Sequence, residues 1–360
     1  MQRDPGIDHV RILLTVLVIL HHIAIVYGGA GDWYWIQADE AKLHLIAFNT
    51  VNQSFFMGFF FLISGYFSQA SIEGKGPKRF LRDRLIRLGI PLAVYFLFIS
   101  PFTIALASTE GYETIFADQA KLMRALVFEP GPMWFVMALL LFSLPLCALH
   151  AWRPKLIVGI SKTPSAPALA AILLLVGLLT FLLRQITPVG ETYFWFQLGY
   201  FPMYVVLFAL GVHAHSKRLL SRVSAKSLTC WLPISIALVL ALPVLLALGP
   251  DREAFLGGMN PYALMYALWE PFTATGIILS LLYLLVVRLN QPNTVMAFLS
   301  PLVYSIYIIH PPVVVAVSRL LSTSDLGYPV TMLGNATLSV CLCVLFSWLL
   351  LKVPYVARVL

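Results

Sequence analysis

Apolar runs of about 17 to 24 residues, each closed by turn residues or charges, follow one another along almost the whole chain. A helix rises 1.5 Å per residue, so crossing the roughly 30 Å hydrocarbon core of a bilayer takes about 20 residues. On that measure spans are predicted near 10 to 27, 45 to 67, 88 to 106, 133 to 149 and 168 to 184. Five more fall near 198 to 213, 230 to 249, 264 to 287, 298 to 318 and 333 to 352. The expected fold is all-α and polytopic, one integral-membrane domain over residues 1 to 360 with about ten transmembrane helices. The first run has no small-residue cleavage site and carries Arg11, His21 and His22, which predicts a retained helix rather than a signal peptide.

Composition sharpens this picture. Of 360 residues, 60% are hydrophobic and 11% charged, which leaves no room for a separate soluble domain. The net charge of +8 could suit nucleic acid, but the basic residues lie between spans, where positive-inside topology places them. With the N-terminus inside, cytoplasmic segments hold 18 of the 24 Lys and Arg, among them Arg3, six in 75 to 87, three in 153 to 162 and four in 217 to 226. Both termini are therefore expected in the cytoplasm, with the lipid bilayer as partner and no nucleic acid. Cys147, Cys230, Cys341 and Cys343 lie in apolar segments without metal or disulfide spacing, so no metal site is expected. The outer loops carry Trp33, Tyr34, Trp35, Tyr193, Phe194 and Trp195, which suit a headgroup belt or stacking on sugar rings. Nothing in the pattern specifies an oligomeric state.

Ionisable side chains are costly in hydrocarbon, so each one inside a span is a pointer to function. Arg11 and His22 are eleven residues apart, about three helical turns, which puts them on one face roughly 16 Å apart. Asp8 can pair with Arg11 at i, i+3. His21 points about 100° away from His22. A lone His22 reads more simply as a buried, hydrogen-bonded histidine. His310 in SIYIIHPP, with Tyr307 three residues before it, changes that balance. Two histidines at similar depth suggest one base and one positioning or oxyanion group, since a neutral imidazole can take and return a proton near neutral pH. Glu270 is a third intrusion, suited to orienting a histidine, to a sugar hydroxyl, or simply to pairing with Arg184. The segment GKGPKRFLRDRLIRLGIP supplies Arg79, Arg82, Arg84 and Arg87, either a topological anchor or a phosphate site. GPMWF, with Trp134, opens the fourth span, and FFFLISGY, with Ser64 and Gly65, closes the second, where Ser-Gly permits close helix packing.

Taken in order, these segments resemble the membrane acyltransferase-3 family over nearly the whole chain. Arg11 and His22 match its Arg, ten residues, His pattern, and Asp8 its Asp-x-x-Arg. FFFLISGYF resembles its Phe-rich Ser-Gly motif, the arginines before Ile90 and Pro91 its basic loop, GPMWF its Gly-Pro-x-Trp-Phe segment, and SIYIIH its late Ser-x-Tyr-x-x-His helix. GETYFWFQLGYFPMYVVLFALGV and the stretch from Asp32 to Glu40 are similar to the branch that contains glucan biosynthesis protein C, a glucan succinylase. The resemblance implies transfer of an acyl group, acetyl or succinyl, from cytoplasmic acyl-coenzyme A to a hydroxyl of an extracytoplasmic glycan or related acceptor, in a bacterial inner membrane. It implies His22 as the catalytic histidine, and Arg82, Arg84 and Arg87, with Arg79 beside them, as ligands of the coenzyme phosphates. Arg11 and His310 are expected to assist catalysis, and Trp134, Tyr307, Glu270, Arg184 and Ser64 to contact substrate. No permanently bound cofactor is expected, acyl-coenzyme A being a co-substrate. The hydrolase-like C-terminal domain of some members has no counterpart, so the chain is expected to act alone or with a partner. The alternatives are a transporter or exporter of a polar or lipid-linked small molecule, whose intramembrane charges would line a path, and a structural envelope subunit.

Overall fold

The computed structural model describes residues 4–108, 112–127, 129–152, 164–216, 218–249, 251–324 and 326–360. Arg3, the three basic residues in 153 to 162 and Lys217 lie outside them. Among the described residues ten helices are long and apolar enough to cross a membrane, and no strand is present. They run Pro5–Val26, Leu43–Lys75, Pro77–Ser108, Gly131–Trp152, Ala166–Leu183, Leu198–His215, Ala225–Ala247, Pro261–Arg288, Thr294–Ser322 and Tyr328–Leu350. We refer to them as the first to tenth spans.

Each predicted span is present, but several helices outrun their apolar stretch. The third begins at Pro77 rather than near 88, because Lys, Arg and Asp in PKRFLRDR end the hydropathic run without ending helix propensity. The same span loosens into π-helical turns at Leu85–Gly89 and Tyr95–Ile99, just before Pro91 and just before Pro101. A helical proline has no N–H to donate and its ring crowds the carbonyl four residues back, so the turn before it widens.

The chain groups into two compact units. Unit 1 comprises Met1–Arg11, Thr50–Lys78 and Leu146–Asn293, and unit 2 comprises Ile12–Asn49, Arg79–Pro145 and Thr294–Leu360. In unit 1 the second and sixth spans cross at glycines. A Cβ at Gly65 would lie 2.1 Å from the Phe208 carbonyl oxygen, and one at Gly211 2.0 Å from that of Leu62. The Ser-Gly motif is thus a backbone-to-backbone crossing. Between the fifth and sixth spans, Tyr193 and Phe196 exchange both backbone hydrogen bonds at 2.9 Å. The two residues they enclose, Phe194 and Trp195, take φ of 49° and 67°. Bulky side chains in that region cost on the order of 1–3 kcal/mol each.

In unit 2 the ninth span packs against the tenth and the C-terminal half of the first through Ile19, Ile23, Ile306, Val313, Val314, Val317 and Cys343, and against the third through Ala105, Leu106 and Val315. A polar ladder is buried in the same unit. Asn335 donates to Ser318 Oγ at 2.8 Å and Tyr27 Oη at 3.3 Å, and its own oxygen accepts from Ser339 at 2.9 Å. Each member has a partner, as burial in an apolar bundle requires.

The glycine crossing yields a direct test. Gly65→Ala or Gly211→Ala is expected to cost about 1–3 kcal/mol through overpacking. The measurement is the thermal midpoint of the purified protein in detergent, compared with Gly74→Ala, where the added Cβ meets nothing within 4 Å.

Candidate active site

The chemistry of unit 2 is built on two consecutive prolines. Pro311 and Pro312 follow His310 inside the ninth span. Pro311 occupies the position whose N–H would bond the Tyr307 carbonyl, and it has none. That carbonyl instead takes a hydrogen bond from His310 Nδ1 at 2.7 Å. A carbonyl oxygen only accepts, so His310 carries its proton on Nδ1. In the neutral ring Nε2 then holds a lone pair, and its partner at 3.2 Å is His22 Nδ1. That nitrogen must therefore donate, which leaves the lone pair of His22 on Nε2. The Tyr307 carbonyl, freed by a proline, thus sets the tautomer of His310 and, through the 3.2 Å contact, favours the Nδ1–H form of His22, whose ring also meets the Val18 carbonyl.

Stacking fixes their planes. The Trp33 indole stacks on the His22 ring with centroids 3.9 Å apart and His310 lies beside that ring at 5.1 Å, the three rings within about 22° of parallel. His310 is fully buried and His21 is 7% exposed, whereas His22 is half-buried and is the histidine that a reactant can reach. Trp33 Nε1 is buried and makes no hydrogen bond. A donor without a partner beside a base with a lone pair is the arrangement that acyl transfer uses.

The opening of the fourth span supports this site from the side. Gly131 has φ +45°, and a Cβ there would lie 2.1 Å from Tyr34 Oη and 3.0 Å from Tyr95 Oη. Tyr34 and Tyr95 share a 3.0 Å hydrogen bond, and burial pushes the Tyr34 hydroxyl up to about 12. The Tyr307 hydroxyl donates to the Pro132 carbonyl. Gly-Pro therefore docks between the Tyr34–Tyr95 pair and the ninth span, and Tyr307 spends its proton on that docking. Trp134 is half-buried, edge-on to Phe135.

The arginine cluster is also in unit 2. Arg79, Arg82 and Arg87 are exposed, and Arg84 lies over the Phe80 ring at 5.1 Å. Arg84 and Arg87 act electrostatically on Tyr304, one turn before Tyr307. The Tyr304 hydroxyl is buried without a hydrogen bond. Sequence reasoning missed Tyr304 because a tyrosine in an apolar helix reads as core. It placed Trp33 among aromatics suited to a headgroup belt or to sugar stacking, not against His22, because a loop residue carries no periodicity from which that contact can be read.

The remaining candidates belong to unit 1. Arg11 pairs with Asp8 at 3.2 Å, the expected i, i+3 bridge. Ser64 presents its carbonyl to Ser68 Oγ at 2.6 Å. Arg184 and Glu270 form an ion pair of 2.6 Å, 0% and 8% exposed at their side chains. The guanidinium lies over Tyr200 and Tyr266, 5.0 Å from each ring, and its Nε donates to the Gly199 carbonyl at 3.2 Å. Desolvation by burial lowers the pKa of Arg184, but Glu270, Tyr200 and Tyr266 together outweigh it and raise the pKa above its usual value. Among the described residues no three His, Cys, Asp or Glu group as a metal site would require.

Comparison with known proteins gives the family. The acyltransferase domain of the acyltransferase-3 family matches residues 4–352. The chain belongs to the acyltransferase-3 family. Of the functions weighed on the sequence, the family and the ten apolar helices support a multi-pass membrane acyltransferase. It is similar to glucans biosynthesis protein C of Salmonella gallinarum, 29% identical over 188 residues, 50% of this chain and 47% of that protein. The proteins of that name from Escherichia coli K12 and Shigella dysenteriae are 36% identical over 91 residues, 25% of this chain and 23% of each relative. The match thus spans about half the length of the first relative and a quarter of the others. No solved structure matches the chain.

The proline argument predicts an uncommon pair of effects. Pro311→Ala returns an N–H to the Tyr307 carbonyl, which then competes with His310 Nδ1. Acyl transfer is expected to fall about tenfold or more, in the range of a mispositioned acid–base group. The thermal midpoint is expected to hold or rise, since a helix-interior proline is removed. Parallel activity and unfolding assays on the one variant check both.

Proposed function

We propose that this acyltransferase moves an acyl group from acyl-coenzyme A to a hydroxyl of a glycan, with His22 as the general base. The observation that carries the reading is the half-buried His22, with its lone pair on Nε2 and the unpaired Trp33 indole N–H stacked against it. In this reading Nε2 takes the proton of the acceptor hydroxyl as that oxygen attacks the thioester carbonyl. Trp33 Nε1 donates to the oxyanion, whereas the Tyr307 hydroxyl already donates to the Pro132 carbonyl. The C–S bond then breaks, and the thiolate leaves with the proton that His22 carries. His310 holds the His22 proton on Nδ1 throughout, as a positioning group.

For the donor, the exposed guanidinium groups of Arg79, Arg82 and Arg87 suit phosphates. The buried Tyr304 hydroxyl beside Arg84 and Arg87 suits an amide of the pantetheine arm. Those features favour a nucleotide-bearing thioester over a free acid. The names of the relatives, which speak of glucans biosynthesis, favour a glucan as acceptor; a succinyl or acetyl group is the proposed cargo. The charge bias of the loops supports a bacterial inner membrane with both termini in the cytoplasm, so that donor and acceptor approach from opposite faces.

The test is thiol release from acetyl- and succinyl-coenzyme A by the protein in lipid nanodiscs, with glucan oligosaccharide as acceptor. Wild type is expected to release thiol with one donor. His22→Ala is expected to lose at least about a thousandfold, and Trp33→Phe, which keeps the stacking and removes the N–H, about a hundredfold. Turnover by His22→Ala at the wild-type rate would sink the proposal, and a silent Trp33→Phe would remove the indole from it.

A further inference from the structure

The loop between the fifth and sixth spans holds an exposed aromatic turn that nothing in the chemistry of unit 2 requires. Tyr193 and Phe196 close it with two backbone hydrogen bonds, and the two residues between them both have φ above zero. This is the pattern of a type I′ hairpin turn, where Asn-Gly is the pairing that fits without strain. Here the positions are Phe194 and Trp195. The strain does not serve the protein interior: Phe194 is 88% exposed, the highest value of any large hydrophobic among the described residues, and Trp195 and Tyr193 are 48% and 41% exposed. The turn is anchored beneath by buried Phe196, which packs on Phe201, and by the Tyr193 hydroxyl, which donates to the Ile186 carbonyl at 3.2 Å.

Strained backbone that displays side chains outward points to an external use. The chemistry around the turn selects the occupant. Residues 185 to 200 contain one acid, Glu191, and no Lys, Arg or His, and the cations that act on the segment from outside it, Arg184 and Arg252, do so at Tyr200, so the turn itself offers a lipid phosphate a carboxylate and no countercharge of its own. A headgroup anchor also needs no fixed ring orientation and sits at helix ends without strain. A neutral sugar fits both features. The C–H faces of its ring carry partial positive charge and stack on the negative faces of aromatic rings, while the exposed Glu191 and Thr192 can take its hydroxyls. We propose that the Glu191–Phe196 turn is a carbohydrate-binding platform, with Phe194 and Trp195 as its stacking surfaces and an uncharged oligosaccharide as its ligand. The proposal deepens the glycan-acceptor reading and rests on it.

The test replaces the strained pair by what the turn prefers. The double variant F194N/W195G keeps the backbone and removes the rings; F194Y/W195Y keeps two flat faces. Titration calorimetry on nanodisc-reconstituted protein with cellopentaose and laminaripentaose reads binding without requiring turnover. Wild type and F194Y/W195Y are expected to bind at least one of the two. F194N/W195G is expected to bind at least tenfold more weakly, with a thermal midpoint equal to or above that of wild type. Equal binding by F194N/W195G, or no binding by wild type, overturns the platform. A lowered midpoint with poor reconstitution of F194N/W195G also overturns it, because the turn would then be a membrane anchor. Thiol release measured on the same preparations separates the two ideas: its absence with every donor counts against the acyl-transfer chemistry proposed above, whereas the binding result stands by itself.

Discussion

Inside an apolar bundle a backbone carbonyl that loses its helical partner has no water to replace it, and leaving it bare costs about 1–3 kcal/mol. The Tyr307 carbonyl is in that position because residue 311 is a proline, and it is satisfied by His310 Nδ1. That one substitution of donor carries through the site. It sets the proton on His310, then the proton on His22 across their 3.2 Å contact, and so the nitrogen of His22 that keeps its lone pair. A histidine tautomer is usually set by a carboxylate or carbonyl behind the ring, and here the carbonyl is made available by a defect in the helix. The Trp33 ring stacked on one face and the His310 contact at the edge keep the base from rotating away from that arrangement.

The same rule, that a buried polar group must be partnered, explains unit 1 differently. Arg184 and Glu270 satisfy each other's charge, and two tyrosine faces cover the guanidinium, yet Arg184 Nη1 and Glu270 Oε1 each lack a hydrogen bond. Removing either partner alone would leave an unpaired charge in an apolar surround, which is the expensive case, on the order of 3–5 kcal/mol. The pair joins the end of the fifth span to the eighth, and the Gly199 carbonyl that accepts from Arg184 Nε opens the sixth. It therefore sets the two ends of the loop that presents Phe194 and Trp195. Fixed loop ends are what allow a strained turn to persist.

The number and order of the spans were legible because hydropathy needs only length and composition to report a membrane helix. Their ends were less so. Charged residues such as those in PKRFLRDR close an apolar run while continuing a helix, and the π-helical turns ahead of Pro91 and Pro101 leave no trace in hydropathy. Of the site, His22 with His310 and Arg184 with Glu270 could be paired on the sequence because ionisable residues at matching depth in spans are rare enough to be matched with one another. Trp33, Tyr304 and the Phe194–Trp195 turn could not. The importance of the first two comes from a hydrogen bond they do not make, and that of the turn from a backbone angle, and neither quantity is written in residue type or spacing. The proline after His310 was in plain view as HPP, and its consequence needed only the rule that residue i bonds residue i−4.

The geometry also bears on direct transfer against an acyl-histidine intermediate. Both begin at His22 Nε2, and both need an oxyanion donor. They differ in what happens to the proton on Nδ1. When Nε2 abstracts a proton, the ring becomes a cation whose Nδ1–H bond to His310 Nε2 strengthens, so the existing contact stabilises the step. When Nε2 is acylated, the ring is activated toward attack only while it remains cationic, and the Nδ1 proton would have to be held by a neighbour whose own Nδ1 proton is already engaged by the Tyr307 carbonyl. The pair can retain that proton but has no further carboxylate behind it to share the charge, which distinguishes it from a histidine backed by an acid. The arrangement therefore favours a base that carries a proton briefly, between the attack of the acceptor oxygen and the departure of the thiol, over one that carries an acyl group for the lifetime of an intermediate.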